Sequence, residues 1–392
     1  MKFVNETCPN CGKQQLSVFY QVEKVPTNSV LLLSTQEEAL NFPTSDIQLG
    51  ICHQCGFIFN IAFDPTLTEY SAKYEATQGY SPTFNKFHKK LAEDLIDKFN
   101  LDHKKIIEIG CDKGDFITML CEMGNNQGIG FDPAYVPGRH PTTISDQLSF
   151  VADFYSEKYA THKADFICCK MTLEHIPNTA QFVQTVRRSI GENDSVVFFQ
   201  IPNGDYVLDD LAFWDVYYEH CSYFTKGSLA HLFHYAGFDV LDLWTDYDNQ
   251  YLMIEARPRH QGNGKAPADQ ITQTMQKAIR FETNVAQLRA EWHTKLAAFQ
   301  AKDQNFVLWG GGSKGVAFLT TLGLTLDDIR YVVDINPNKT GTFMAGTGQE
   351  IVAPDFLKTY QPDVVIIMNP IYRKEITSDL QKMGLSPEIL TM

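Results

Sequence analysis

From Lys105 onward the 392-residue chain repeats one pattern, a short apolar run followed by a helical segment, and no other feature narrows its fold so far. "KIIEIGCDKGDFITMLCEMG" reads as a buried strand, a glycine turn and a helix. "GIGFDP", "FVADFY", "ADFICCK", the helix "AQFVQTVRRSI" and the strand "SVVFFQIP" extend the series. Strands alternating with helices predict a parallel sheet covered on both faces. "FDVLDLWT" and "QYLMIEARP", joined by "DYDN", predict an antiparallel hairpin that finishes the sheet. Just upstream, "NKFHKKLAEDLIDKF" places Phe87, Leu91, Leu95 and Phe99 on one helical face.

Two other regions flank this unit. Cys8-Pro9-Asn10-Cys11-Gly12 and Cys52-His53-Gln54-Cys55-Gly56 are matching knuckles, and four thiolates at that spacing suit a tetrahedral, structural Zn2+ site. The remaining five cysteines are scattered, as in a chain whose thiols stay reduced. After the polar, Gly/Pro-rich "RPRHQGNGKAPADQ" comes a long helix with Ile271, Met275, Ala278, Val285, Leu288, Trp292, Leu296 and Phe299 along one stripe. A second α/β unit follows, with "NFVLWG", "GGSKG", "IRYVVDIN" and "DVVIIMNP". The expected domains are 1–66, a zinc-binding module; 67–258, the central α/β unit; 259–302, a linker and bridging helix; and 303–392, a Rossmann-like unit.

Charge narrows the possible partners. With 33 Lys+Arg against 47 Asp+Glu and no basic cluster, a nucleic-acid partner lacks its electrostatic footprint. No run approaches the roughly 20 apolar residues that a bilayer crossing needs, and the start "MKFVNETCPNCG" has no apolar leader core, so no membrane partner and a cytoplasmic location are expected.

In "EIGCDKGDF", Gly110 and Gly114 allow close backbone approach at a strand-to-helix turn. Asp132 ends the next strand 22 positions after Gly110, where a carboxylate can accept from both hydroxyls of a ribose. Asp153, beside Phe154, ends the strand after that. Taken singly, Asp132 is equally a turn aspartate and Asp153 a helix cap; the register of the three strand ends favours a nucleoside site.

E-x-G-x-x-x-G, an acidic strand end, Ala-Asp-Phe and "LEHIP" together resemble a class I S-adenosylmethionine-dependent methyltransferase. The resemblance implies that Glu108, Gly110, Asp112 and Gly114 surround the methionine part of S-adenosylmethionine. Asp132 would hold the ribose, Asp153 and Phe154 the adenine, and Lys170 with Met171 would line the methyl donor. Asp112 stands where the family often has glycine, and aspartate tolerates left-handed backbone better than most residues. The zinc knuckles, "YYEHCSYF" (217–224) and the C-terminal "GGGSKG", "VVDINPNKTG" and "VAP" extend the similarity to bacterial deoxysugar C-methyltransferases. That likeness implies a nucleotide-linked keto-sugar substrate and acid/base groups at Tyr217, Glu219, His220 and His175.

Carbon methylation requires a base to remove a proton alpha to a carbonyl and a donor to stabilise the enolate. His220 is the expected base and Glu219 its partner or an alternative base, with His175 and Tyr217 as candidate donors to the enolate. Cys221 is expected to pack. Tyr74 and Tyr80 are candidate substrate contacts, and Lys314 after the Gly310–Gly312 turn is a candidate phosphate ligand, although a plain tight turn reads equally well. Methylation of oxygen or nitrogen on another metabolite is the alternative, and a non-catalytic S-adenosylmethionine-binding protein is a third reading.

Overall fold

The computed structural model describes residues 7–138, 142–262 and 270–392. Residues 263–269 of the expected linker lie outside the described residues. The N-terminal region is built on a long antiparallel ribbon, β1 (Leu16–Pro26) against β2 (Thr44–Cys52), with α1 (Gln36–Leu40) in the connection and β3 (Ile58–Asn60) beside β2. Leu16 pairs with Cys52 at the cysteine end, and Pro26 pairs with Thr44 at the far end. The ribbon therefore carries its connecting loop well away from the cysteines.

α2 (Pro82–Phe99) starts where Ser81 caps it by accepting the Phe84 N–H, and it stops at Asn100 in left-handed conformation. The central sheet contains β4 (Lys105–Ile109), β5 (Gln127–Phe131), β6 (Leu148–Val151), β7 (Phe166–Lys170) and β8 (Val196–Pro202), all parallel. Helices α3 (Asp115–Gly124), α4 (Thr179–Ile190), α5 (Gly204–Asp209) and α6 (Lys226–Tyr235) accompany them. Between α5 and α6 lies β9 (Ser222–Tyr223), which pairs with β3 and so completes the N-terminal sheet rather than the central one. The predicted closing hairpin forms as β10 (Phe238–Asp246) and β11 (Tyr251–Pro258), giving the order β10-β11-β8-β7-β4-β5-β6.

α7 (Ile271–Gln300) buries Ala278, Phe281, Val285, Trp292, Leu296 and Phe299. Phe281 meets Tyr20 of β1 edge-on, with ring centroids 5.1 Å apart. The last region is a parallel sheet, β14-β13-β12-β15-β16, formed by β12 (Phe306–Trp309), β13 (Tyr331–Val333), β14 (Glu350–Val352), β15 (Val364–Ile367) and β16 (Glu388–Thr391). α8 (Ser313–Leu322), α9 (Leu357–Tyr360) and α10 (Arg373–Lys382) flank it. Trp292 of α7 lies edge-on to Phe318 of α8, 5.2 Å away, so α7 packs on both flanking regions. One apolar cluster runs from Phe19 and Tyr20 through Phe213 and Phe281 to Phe318 and Val332, and such continuity joins the three regions into one packed body.

Candidate active site

The carboxyl ends of β4, β5 and β7 open into a cavity of about 1000 Å³, which the C-terminal sheet closes from the opposite side. Open α/β sheets bind their ligands at this edge. The first turn is built for close approach: Gly110 has φ 72°, and a Cβ there would stand 1.9 Å from Thr172 Oγ1. Asp112 takes the left-handed backbone (φ 47°) at the position expected to tolerate it. Gly114 does not line the cavity; it closes the turn, where a Cβ would strike the Phe150 ring at 2.6 Å.

Asp132 accepts the Asp112 N–H at 2.9 Å and the Ala134 N–H at 2.7 Å, and it keeps further acceptor capacity toward the cavity it lines. Glu108 is buried beneath the turn, accepting the Ile117 N–H at 2.9 Å. Burial pushes its carboxyl up and pushes Lys170 down, while each charge favours the other. Lys170 Nζ lies 2.6 Å from His88 Nε2. Burial holds His88 neutral, so its ring accepts from the ammonium. His88 lay outside the sequence reading because it sits mid-helix with no motif around it.

Asp153 and Phe154 stand at the rim. The Asp153 carboxylate already accepts from Lys158 and from Tyr159 Oη, which hold it at about 2. Phe154 is 63 % exposed, a flat apolar face turned to water, with Tyr70 edge-on at 6.4 Å. These features fit S-adenosylmethionine: a glycine-walled turn, a ribose-height carboxylate and an uncovered aromatic ring.

The deeper wall gathers Glu174, His175, Tyr217 and His220. Tyr217 Oη lies 2.9 Å from His220 Nε2, and the rings of His175 and His220 meet edge-on at 4.8 Å. His175 Nδ1 donates to the Glu219 carbonyl at 3.0 Å, which leaves Nε2 unprotonated, so neutral His175 is not the donor to an enolate that the sequence led us to expect. Burial lowers His175 to about 4 and His220 well below its ordinary value, the latter with help from His175 and Lys314. Both imidazoles are thus neutral near pH 7. Burial likewise keeps the Tyr217 phenol protonated.

Two further expectations need correction. Glu219 is not the side-chain partner of His220 and does not line the cavity. Its Oε1 accepts from the amide N–H of Ser29 at 2.5 Å and from Ser29 Oγ at 2.7 Å, because successive side chains in this turn diverge. The acidic side chain near His220 is Glu174, with Oε1 3.9 Å from Nε2, and burial raises its carboxyl to about 8. Lys314 is committed to an ion pair with Asp215, and Gly311 N–H donates to Asp334 at 2.9 Å, so the glycine turn presents neither as a free phosphate ligand.

Tyr74 is half-buried in the wall, whereas Tyr80 sits at the rim and its Oη accepts from Asn338 at 2.9 Å. Tyr70 was passed over in the sequence, yet its ring stands edge-on to His175 at 5.7 Å, and its buried hydroxyl has no hydrogen-bond partner among the described residues. Cys221 packs as expected, its thiol 3.3 Å from the Glu174 carbonyl.

The four knuckle cysteines also converge. Cys8 and Cys55 sulfurs are 3.7 Å apart and those of Cys11 and Cys52 are 3.6 Å apart. Four sulfurs about 2.3 Å from a central zinc form a tetrahedron with edges of about 3.8 Å, so the cluster fits that ion.

A glycine-turned parallel sheet with a nucleoside-shaped edge defines a class I fold, and the chain is an S-adenosylmethionine-dependent methyltransferase. Residues 84–243 match the family described as "Methyltransferase domain", and residues 265–386 match the "C-methyltransferase C-terminal domain". C-methyltransferase NovU of Streptomyces niveus is 23% identical over 363 residues, covering 88% of this chain and 85% of that protein. A ubiquinone biosynthesis O-methyltransferase of Actinobacillus pleuropneumoniae serotype 7 is 29% identical over 109 residues, covering 26% of this chain and 46% of the relative. Among solved structures, the 1,6-didemethyltoxoflavin-N1-methyltransferase of Burkholderia thailandensis aligns at 15% identity and TM-score 0.37, covering 46% of this chain and 82% of that one. Among the described residues, no helix is long and apolar enough to cross a membrane.

Proposed function

We propose that the protein methylates a carbon adjacent to a keto group in a nucleotide-linked deoxysugar, the sugar lying between the central sheet and the C-terminal unit. The observation that carries this reading is the buried, neutral His220 hydrogen-bonded to a protonated Tyr217 on the cavity wall. A histidine without a proton can take one from carbon, and a phenol that stays protonated can donate to the developing oxyanion. Support also comes from the match of the last region to a C-methyltransferase C-terminal domain.

With His220 Nε2–H donating to the Tyr217 oxygen, the Tyr217 O–H remains available to the substrate. His220 takes the alpha proton at Nδ1, the nitrogen that carries no hydrogen in this tautomer, and the electron pair of the broken C–H bond moves onto the carbonyl oxygen, which Tyr217 holds. Glu174, 3.9 Å from Nε2 and kept protonated near neutrality by burial, would offer the imidazolium a neutral carboxyl oxygen. Gly110, Asp112, Asp132, Asp153, Phe154 and Lys170 would hold S-adenosylmethionine, which when bound supplies an electrophilic methyl group. The cysteine cluster is read as structural Zn2+, since four sulfurs leave no open coordination position.

The test is hydrogen exchange. Incubated in deuterium oxide with a keto-deoxysugar nucleotide and adenosylhomocysteine, the enzyme should place deuterium on the carbon to be methylated, and His220→Asn should not. Methyl transfer to oxygen or nitrogen without exchange would sink the carbanion reading in favour of heteroatom methylation.

A further inference from the structure

We propose that Ser29 is a positioning residue of this active site: from the N-terminal region it grips Glu219 with both its amide and its hydroxyl, fixes the turn bearing Tyr217 and His220, and ties that turn to the C-terminal unit through Ser313. The proposal rests on the reading of Tyr217 and His220 as the acid/base wall.

The contact is built rather than incidental. Thr27, Asn28 and Ser29 are polar, yet all are buried, at 1%, 1% and 6% exposure. Burying such a loop is tolerable only when its polar groups are paired. Thr27 N–H donates to the Pro43 carbonyl at 3.0 Å. Asn28 exchanges bonds with the Glu69 backbone, at 3.2 Å as donor and 2.9 Å as acceptor. Glu75 N–H donates to the Val30 carbonyl at 3.0 Å. Ser29 is thereby held from both sides, with its N–H and O–H both directed at one Glu219 oxygen. Since the Ser29 proton goes to Glu219, Ser313, 2.7 Å from Ser29 Oγ, is the donor in that second contact.

Glu219 matters to the site through its backbone as well. Its carbonyl accepts from His175, and Tyr217, two positions before it, and His220, the residue after it, form the hydrogen-bonded pair. Anchoring the Glu219 side chain therefore orients three groups of the wall. Titratable groups around this turn are Tyr70 and Tyr74 from the segment before α2, and Glu174 and His175 after β7. Tyr217, His220 and Tyr223 come from its own stretch, with Lys314 and Asp215 beyond. Burial raises Glu219 to about 7, and the two Ser29 bonds pull against that rise. Deleting the hydroxyl removes one donor to the charged carboxylate, so its pKa should climb further.

The experiment is an isotope-edited infrared titration of the full-length protein labelled with 13C-glutamate, with Glu219→Gln identifying the Glu219 band. In Ser29→Ala the ionisation midpoint is expected to rise by about one to two pH units. Ser29→Thr, which keeps the donor, should restore it, and Ser313→Ala should leave it in place. An unmoved midpoint in folded Ser29→Ala overturns the proposal. If that variant does not fold, Ser29→Cys should show a smaller rise, and no rise overturns it equally. His220→Asn, assayed for adenosylhomocysteine release with a keto-deoxysugar nucleotide, tests the underlying reading separately. Full turnover there removes the acid/base wall, and with it Ser29's role in catalysis, even if the infrared midpoint moves.

Discussion

The hydroxyl of Tyr217 stands 2.9 Å from Nε2 of His220, and both side chains line the cavity at the carboxyl edge of the central sheet. A pair so placed holds one proton between phenol and imidazole, and the surrounding burial keeps both partners uncharged before substrate arrives. Tyr217→Phe should therefore lower kcat by about 10²-fold, and His220→Gln by about 10³-fold, each leaving S-adenosylmethionine affinity within about twofold. Calorimetric titration of the donor beside a turnover assay checks the separation; a large loss of donor binding would misplace the pair.

Tyr70 gives the opposite balance between stability and activity. Its buried hydroxyl has no partner among the described residues, and an unpaired buried hydroxyl costs the folded chain free energy. Tyr70→Phe should raise the melting temperature by about 1–3 °C while lowering kcat/KM. A melting temperature that falls would show that the hydroxyl is already satisfied.

Glu174 makes stability depend on pH with a definite sign. Burial raises its carboxyl to about 8, so the folded chain keeps a proton that the unfolded chain releases above about 4.5. This contribution is complete below the unfolded pKa and is lost as pH rises toward 8, so urea midpoints should decline across that window. Glu174→Gln should flatten the decline. A wild-type midpoint that rises steadily between pH 5 and pH 8 would contradict the assignment.

Metal analysis should find one zinc per chain, and Cys52→Ser should lose it together with the cooperative melting of the N-terminal sheet. Because β9 of the turn at 222–223 belongs to that sheet, metal loss should also depress turnover, although no cysteine of the cluster faces the cavity. Retained turnover in the zinc-free protein would uncouple the two.

Glu375 of α10 accepts from Ser81 Oγ at 2.8 Å and from Thr83 N–H at 3.1 Å, joining the C-terminal unit to the start of α2. Glu375→Ala should cost about 1 kcal/mol and speed amide exchange at the start of that helix, read by mass spectrometry. Unchanged exchange there would mean the contact does not hold the helix.

Much of the architecture was legible because periodicity reports burial. The strand and helix alternation led to the central sheet and its closing hairpin, and the paired C-x-x-C knuckles led to the cysteine cluster. Contacts between regions leave no such trace. Ser29 and Glu219 are 190 positions apart, and neither carries a pattern that names the other. Glu219 and His220 looked like a pair only because they are adjacent, a poor guide in a turn. Lys314 resembled a free phosphate ligand until Asp215, 99 positions upstream, was found beside it.

The grip of Ser29 also sets a timetable for biosynthesis. A ribosome releases Ser29 190 residues before Glu219 and 284 residues before Ser313. At roughly 5–20 residues per second the first interval lasts roughly 10–40 s. Throughout it the loop at 27–30 has neither Glu219 nor the C-terminal strands to meet. The reaction chamber is therefore the last thing the nascent chain acquires, and a prematurely terminated product would hold the nucleoside edge of the site without its opposite wall.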